Sequence, residues 1–167
     1  MKKINLTIRS KFMSEKNKTK TSFVNLANAR THEQIKVMTQ IEKDGVCPFC
    51  EKYFTKYHPK KIIKKTKSWF FTENMSPYEG TRHHFLLVCR RHLNMPGDLN
   101  LDELGDLFSL IKWSTKRYKI SGGSLLIRFG DPNLTGGSVD HLHLHIIVGQ
   151  PKRNTSQSIK VKVGYTA

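Results

Sequence analysis

The run His141-Leu142-His143-Leu144-His145-Ile146-Ile147-Val148 constrains this chain more than any other segment. A period of two belongs to a β-strand, in which successive side chains point to opposite faces. His141, His143 and His145 then share one face, and Leu142, Leu144 and Ile146 share the other. The pattern predicts one buried side and, on the other, a row of imidazoles spaced about 7 Å apart. Three imidazoles on one face each need polar partners, so the face is expected to do chemistry. Near neutral pH an imidazole serves as nucleophile, proton carrier or metal ligand.

The rest of the chain supplies a sheet and a helix for this strand to join. Strands are expected over residues 61–64, 68–72, 81–89, 124–129 and 139–148, with a short one over 161–163. Leu101, Leu104, Leu107, Phe108, Leu110 and Ile111 recur at helical spacing. They mark a long helix to about residue 118, capped by Asn100 or Asp98 and ended by Gly122-Gly123. A second helix over 30–43 leads into the Asp44-Gly45 turn. This order gives an α+β class, an antiparallel sheet with a long helix packed on it. Its 167 residues suit a single domain, placed at 30–150 between a flexible basic arm (1–29) and a C-terminal tail (151–167).

Charge is uneven along the chain. The net charge is +16, and residues 1–67 carry 17 Lys and Arg against 5 Asp and Glu, whereas 68–167 carry 12 against 8. The excess reads either as a polyanion-binding arm or as plain Lys-rich solvation. No apolar run spans a membrane, and no signal-peptide core is present. In the first 22 residues Lys outnumbers Arg and no apolar face is evident, which fits an arm better than an organelle leader. A cytoplasmic location is expected, with mitochondria and nucleus as alternatives.

Cys47-Pro48-Phe49-Cys50 and a lone Cys89 do not make a disulfide framework, and they fit a reducing compartment. Two thiolates at this spacing can chelate a tetrahedral zinc, which needs two further ligands. Those would be histidines, with His92 and one member of the row as candidates. Unpaired thiols and a redox pair are the alternatives, and the charged stretch after Cys50 lacks the strand-to-helix setting of a redox pair. Three imidazoles in one line would span roughly 13 Å, too far for a single ion.

The motif His141-Leu-His143-Leu-His145-Ile-Ile resembles the signature of the histidine-triad (HIT) superfamily of nucleotide hydrolases and transferases, and the likeness extends over residues 45–150. Gly136-Gly137-Ser138-Val139-Asp140 resembles the family's Gly-rich lead-in. The stretch from Thr81 to His92 resembles its His-Phe-Leu-Val-x-Pro-Lys-x-His strand, with Cys89-Arg90-Arg91 where Pro-Lys is usual. Residues 71–77 resemble the strand end that grips a ribose, and Cys47-Pro48-Phe49-Cys50 resembles the cysteine pair of zinc-containing members.

The resemblance implies a role for each matching residue. His143 would attack the α-phosphorus of a nucleotide and form a covalent nucleotidyl-histidine, with its other nitrogen held by a backbone carbonyl near His141. His145 and His84 would donate to phosphate oxygens or the leaving group, and Ser138 to the departing group. His84 is preferred to its neighbour His83 because it aligns before Phe85-Leu86-Leu87-Val88. Asn74 would meet the ribose. The loop 130–137, with Gly136 and Gly137, would present backbone N–H groups to phosphate, and Arg128 would clamp it or else pair with Asp131 or Asp140. Cys47, Cys50, His92 and His141 would hold a structural Zn²⁺. His32 and His58 have no motif around them and are expected on the surface.

The implied activity is cleavage at the α-phosphate of a dinucleoside polyphosphate or a nucleoside phosphoramidate, by a homodimer. The alternatives are deadenylation or decapping of nucleic-acid 5′ ends, aided by the basic arm, and a non-catalytic nucleotide-binding module.

Overall fold

A computed structural model describes residues 22–154 and 157–166. Five strands, β1 (Ile62–Lys65), β2 (Trp69–Glu73), β3 (His83–Cys89), β4 (Ser124–Arg128) and β5 (His143–Val148), form one sheet. Their order is β1-β2-β3-β5-β4, and every neighbouring pair is antiparallel. The expected α+β class is the observed one.

Alternation sorts the side chains of the three central strands into two buried layers. Trp69, Phe71, Phe85, Leu87, Cys89, Leu144, Ile146 and Val148 form a core with Leu107 and Leu110 of the long helix α3 (Leu101–Arg117). The other α-helices are α1 (His32–Asp44), α2 (Glu51–Tyr57) and α4 (Pro132–Thr135). Asn100 caps α3 through a reciprocal box with Glu103, and Trp69 Nε1 donates to the Glu103 carbonyl (2.8 Å). On the opposite face Phe70, Leu86 and Val88 pack against Cys47, Phe49 and Phe54. The histidines of β5 lie on this second face.

α1 ends at Gly45, whose φ of 63° is the left-handed C-cap that glycine adopts without strain. Met38 and Ile41 of α1 join Val24 and Tyr57 in a third apolar cluster.

Several expectations are corrected. The histidine strand begins at His143 rather than residue 139, with Val139 in an isolated bridge to Val24. Residues 51–57, read as a charged stretch without structure, form α2, which buries Phe54 and Tyr57 three positions apart. No strand forms over 161–163. Of the expected arm, residues 1–21 lie outside the described residues. Residues 22–29 are folded onto the body, where Val24 and Asn28 are buried, so the body begins before residue 30. The tail is also packed: the Tyr165 hydroxyl donates to Asn28. Among the described residues, no helix is long and apolar enough to cross a membrane.

Candidate active site and metal centre

β5 places His143 and His145 side by side on the second face, where each is only 7% exposed. Their ring centroids are 4.9 Å apart. The expected row is therefore two adjacent buried rings, with His141 outside the strand. Each ring can be followed through its hydrogen bonds. His143 Nδ1 donates to the carbonyl of His141 (2.6 Å), which leaves the lone pair on Nε2. The Tyr78 amide donates to His84 Nδ1 (3.1 Å), so His84 carries its proton on Nε2 and donates it to His145 Nδ1 (2.9 Å). The Asn74 amide nitrogen, 3.0 Å from that same Nε2, is then a donor facing a donor. His145 in turn holds a proton on Nε2, and Arg128 Nη1, also a donor, lies 3.3 Å away. Two N–H groups converging with no acceptor between them make a place for an anion.

Burial pushes His143 down to about 4, and the Arg128 cation pushes the same way. Burial, then Arg30 and Arg128, lower His84 to about 4. His145 is held well below its usual range, first by burial and then by His143 and His84. All three rings are neutral at pH 7, as a lone-pair nucleophile requires.

A cavity lies over this face. His143, His145, Ser138, Asn74, Gly136 and Gly137 line it, as do Arg30, Arg128, Lys160 and Lys162. No acidic residue is among its described lining. Arg128 pairs with neither Asp131 nor Asp140. Asp131 caps α4, and Asp140 accepts from Asn94. Arg128 Nη2 instead donates to the Tyr78 hydroxyl (2.8 Å), and the guanidinium also holds the Lys162 carbonyl.

Three placements differ from the expectations: those of His84, of the Gly136 and Gly137 amides, and of His58. His84 faces the histidine side while His83 stacks on Phe85, but His84 lies behind His145 and does not line this cavity. The amides of Gly136 and Gly137 are used within the protein, by the Pro132 carbonyl and Thr135 Oγ1 (3.3 Å). Gly136, with φ 67°, is also the point where a Cβ would strike the Lys162 side chain at 2.5 Å. Asn74 accepts from the Ser76 amide (2.8 Å). His58 is not on the surface: it is 5% exposed and lines the cavity. His32 is exposed.

The metal candidates converge. The ligand atoms of Cys47, Cys50, His92 and His141 all lie within 4.8 Å of one another. Cys47 Sγ to His141 Nδ1 is 3.2 Å, Cys50 Sγ to His92 Nδ1 is 3.5 Å, and the two Nδ1 atoms are 3.2 Å apart. A tetrahedral ion with bonds of about 2.0–2.3 Å needs edges of about 3.3–3.8 Å, so this is a possible metal site of fitting size. His141 Nε2 donates to the Cys89 carbonyl (2.6 Å), which leaves Nδ1 facing the two cysteine sulfurs.

Comparison with known proteins decides the family. The HIT domain profile matches residues 55–152, more than half of the chain. The chain belongs to the HIT family. Among solved HIT-type structures it is similar to the histidine triad nucleotide-binding protein from Candida albicans (20% identity, TM-score 0.51, covering 68% of this chain and 87% of that one). A zinc-bound histidine triad family protein from Mycobacterium smegmatis is also similar (19%, 0.50, 70% and 81%), as is a hypothetical protein from Leishmania major (19%, 0.53, 72% and 84%). These likenesses establish the HIT-like fold. No curated protein matches the sequence.

Proposed function

We propose that this HIT protein is a nucleotide hydrolase or transferase that works through a covalent nucleotidyl-histidine on His143. One observation carries the reading. His143 has its Nδ1 proton held by the His141 carbonyl, which leaves the lone pair on Nε2, and the residue lines a cationic cavity. Nε2 attacks the α-phosphorus as the bond from phosphorus to the leaving oxygen or nitrogen breaks. Ser138 and the His145 Nε2–H are the donors available to the leaving group and the phosphate oxygens. Water, or an acceptor hydroxyl in a transfer, then attacks phosphorus as the phosphorus–nitrogen bond breaks, its proton passes to solvent, and His143 returns to neutrality. Arg128 neutralises charge that grows on the phosphate oxygens. His84 acts as a positioning residue that fixes the His145 tautomer, and Asn74 borders the ribose.

We assign Zn²⁺ to Cys47, Cys50, His92 and His141. Two thiolates balance its charge, and four protein ligands leave no open position, so its role is structural. A dinucleoside polyphosphate or nucleoside phosphoramidate is the first substrate class. A nucleic-acid 5′ end is second, favoured by Arg30, Lys160 and Lys162 beside Arg128. The edge strand β4, with Leu125 exposed, is the surface we assign to the expected homodimer.

The test is incubation with dinucleoside polyphosphates, nucleoside phosphoramidates and adenylated DNA, with mass detection of the trapped adduct. Wild type gains the mass of one nucleotidyl group. His143→Ala gains none and loses at least about 10³-fold in turnover, with unfolding midpoint and metal content unchanged. Retained turnover in His143→Ala would refute the mechanism.

A further inference from the structure

Part of the cavity wall is apolar: Val37, Met38, Ile41, Phe49 and Tyr57 contribute to it, together with His58. The other polar side chains on this side are satisfied within the protein. Asn28 donates to the carbonyls of Gly137 and Pro132 and accepts from Tyr165. Gln34 accepts from the Arg30 amide (2.9 Å) and donates to Ser138 Oγ (3.5 Å), and the Tyr57 hydroxyl donates to Asp44. His58 differs. Its Nδ1 lies 3.1 Å from the Lys60 carbonyl, so Nδ1 carries the proton and Nε2 the lone pair. That Nε2 is the single buried side-chain nitrogen or oxygen among the described residues without a hydrogen-bond partner. A buried acceptor left unpaired is costly and calls for a reason.

The ring is held in place. It stacks on Phe54 at 4.5 Å and 22°, and Phe49 touches it edge-on at 6.4 Å. Phe49 also meets His143 edge-on at 4.9 Å. One phenyl ring therefore links the nucleophile to the unpaired acceptor. A planar heteroaromatic ring suits the apolar wall when the phosphate is at His143 and Arg128. Nε2 is closed off from solvent in this structure, so a donor meets it as the apolar side chains around it yield to a bound base, and an exocyclic amine projects further toward it than a ring N–H.

We propose that His58 is a specificity-determining residue whose Nε2 accepts an N–H from the exocyclic amine of the substrate's nucleobase. This rests on the nucleotide site proposed above. The acceptor favours bases that carry the amine over otherwise identical bases that lack it.

Calorimetric titration of the metal-loaded full chain tests it with two pairs: AMP against purine riboside 5′-monophosphate, and GMP against IMP. In at least one pair the amine-bearing member binds wild type about tenfold or more tightly. His58→Phe, which keeps a ring on Phe54, brings that ratio close to one, and His58→Gln, which restores an acceptor, recovers part of it. Equal binding within both pairs by wild type would overturn the assignment even if His58→Phe does not fold, and so would a ratio that survives His58→Phe. Failure of wild type to bind any of the four nucleotides would remove the nucleotide site itself, and this reading with it.

Discussion

His141 does two jobs with different atoms. Its ring belongs to the possible metal site, while its carbonyl holds the proton of His143. The sequence shows both histidines, and the resemblance separates their roles, but the burial of the whole row is not legible in it. His58 was least legible, because no motif surrounds it and its partners Phe49, Phe54 and Lys60 meet it only after α2 forms. Burial has a consequence for pH. His84 faces Tyr78, His145 and the cations Arg30 and Arg128, and its ring is lowered to about 4. An unfolded chain takes up this proton below about 6.5 and the folded one only near 4, so stability is full above pH 6.5 and falls between those values. The His84 share is on the order of 3 kcal/mol. Chemical denaturation at pH 7 and pH 4.5 checks it. The loss on acidification should be smaller in His84→Gln than in wild type, and equal losses would contradict the assignment.

At the scale of elements, hydrophobic periodicity reads well where both faces of a strand or one stripe of a helix are buried. β2, β3 and α3 begin and end within two residues of where the pattern puts them. α2 is missed because Glu51, Lys52 and Lys56 decorate a helix only seven residues long, whose buried members are Phe54 and Tyr57. The helix also makes Cys50 an N-cap, a setting that the charged sequence hides. The cysteine knuckle between α1 and α2 meets the residues after β3 and before β5 through the four candidate metal ligands, and through apolar contacts of Val46 and Phe49 with Val139 and His141. Cys50→Ser should therefore lower bound zinc and Tm together, Tm by roughly 5–10 °C. Metal analysis paired with calorimetry checks this. A Tm that does not respond to a strong chelator would exclude a structural role.

Across the whole molecule, the chain ends are the part that the sequence hides. Composition marks both as solvated, yet 22–29 and 157–166 make specific contacts, several through backbone carbonyls that no residue pattern reveals. The tail brings Lys160 and Lys162 to the cavity. Deleting residues 157–167 should raise KM for an anionic nucleotide about three- to tenfold and weaken its salt dependence, with little change in Tm. Steady-state kinetics at two ionic strengths would show it, and an unchanged KM would count against the tail. The sheet carries a further consequence. β5 gives Leu144 and Ile146 to the core and His143 and His145 to the cavity, paired in register with both β3 and β4. A slip of one residue would exchange these sets, pressing imidazoles into oil and pointing leucines at phosphate. One register therefore specifies both the apolar core and the buried histidine face, and a misaligned form would lose the two together.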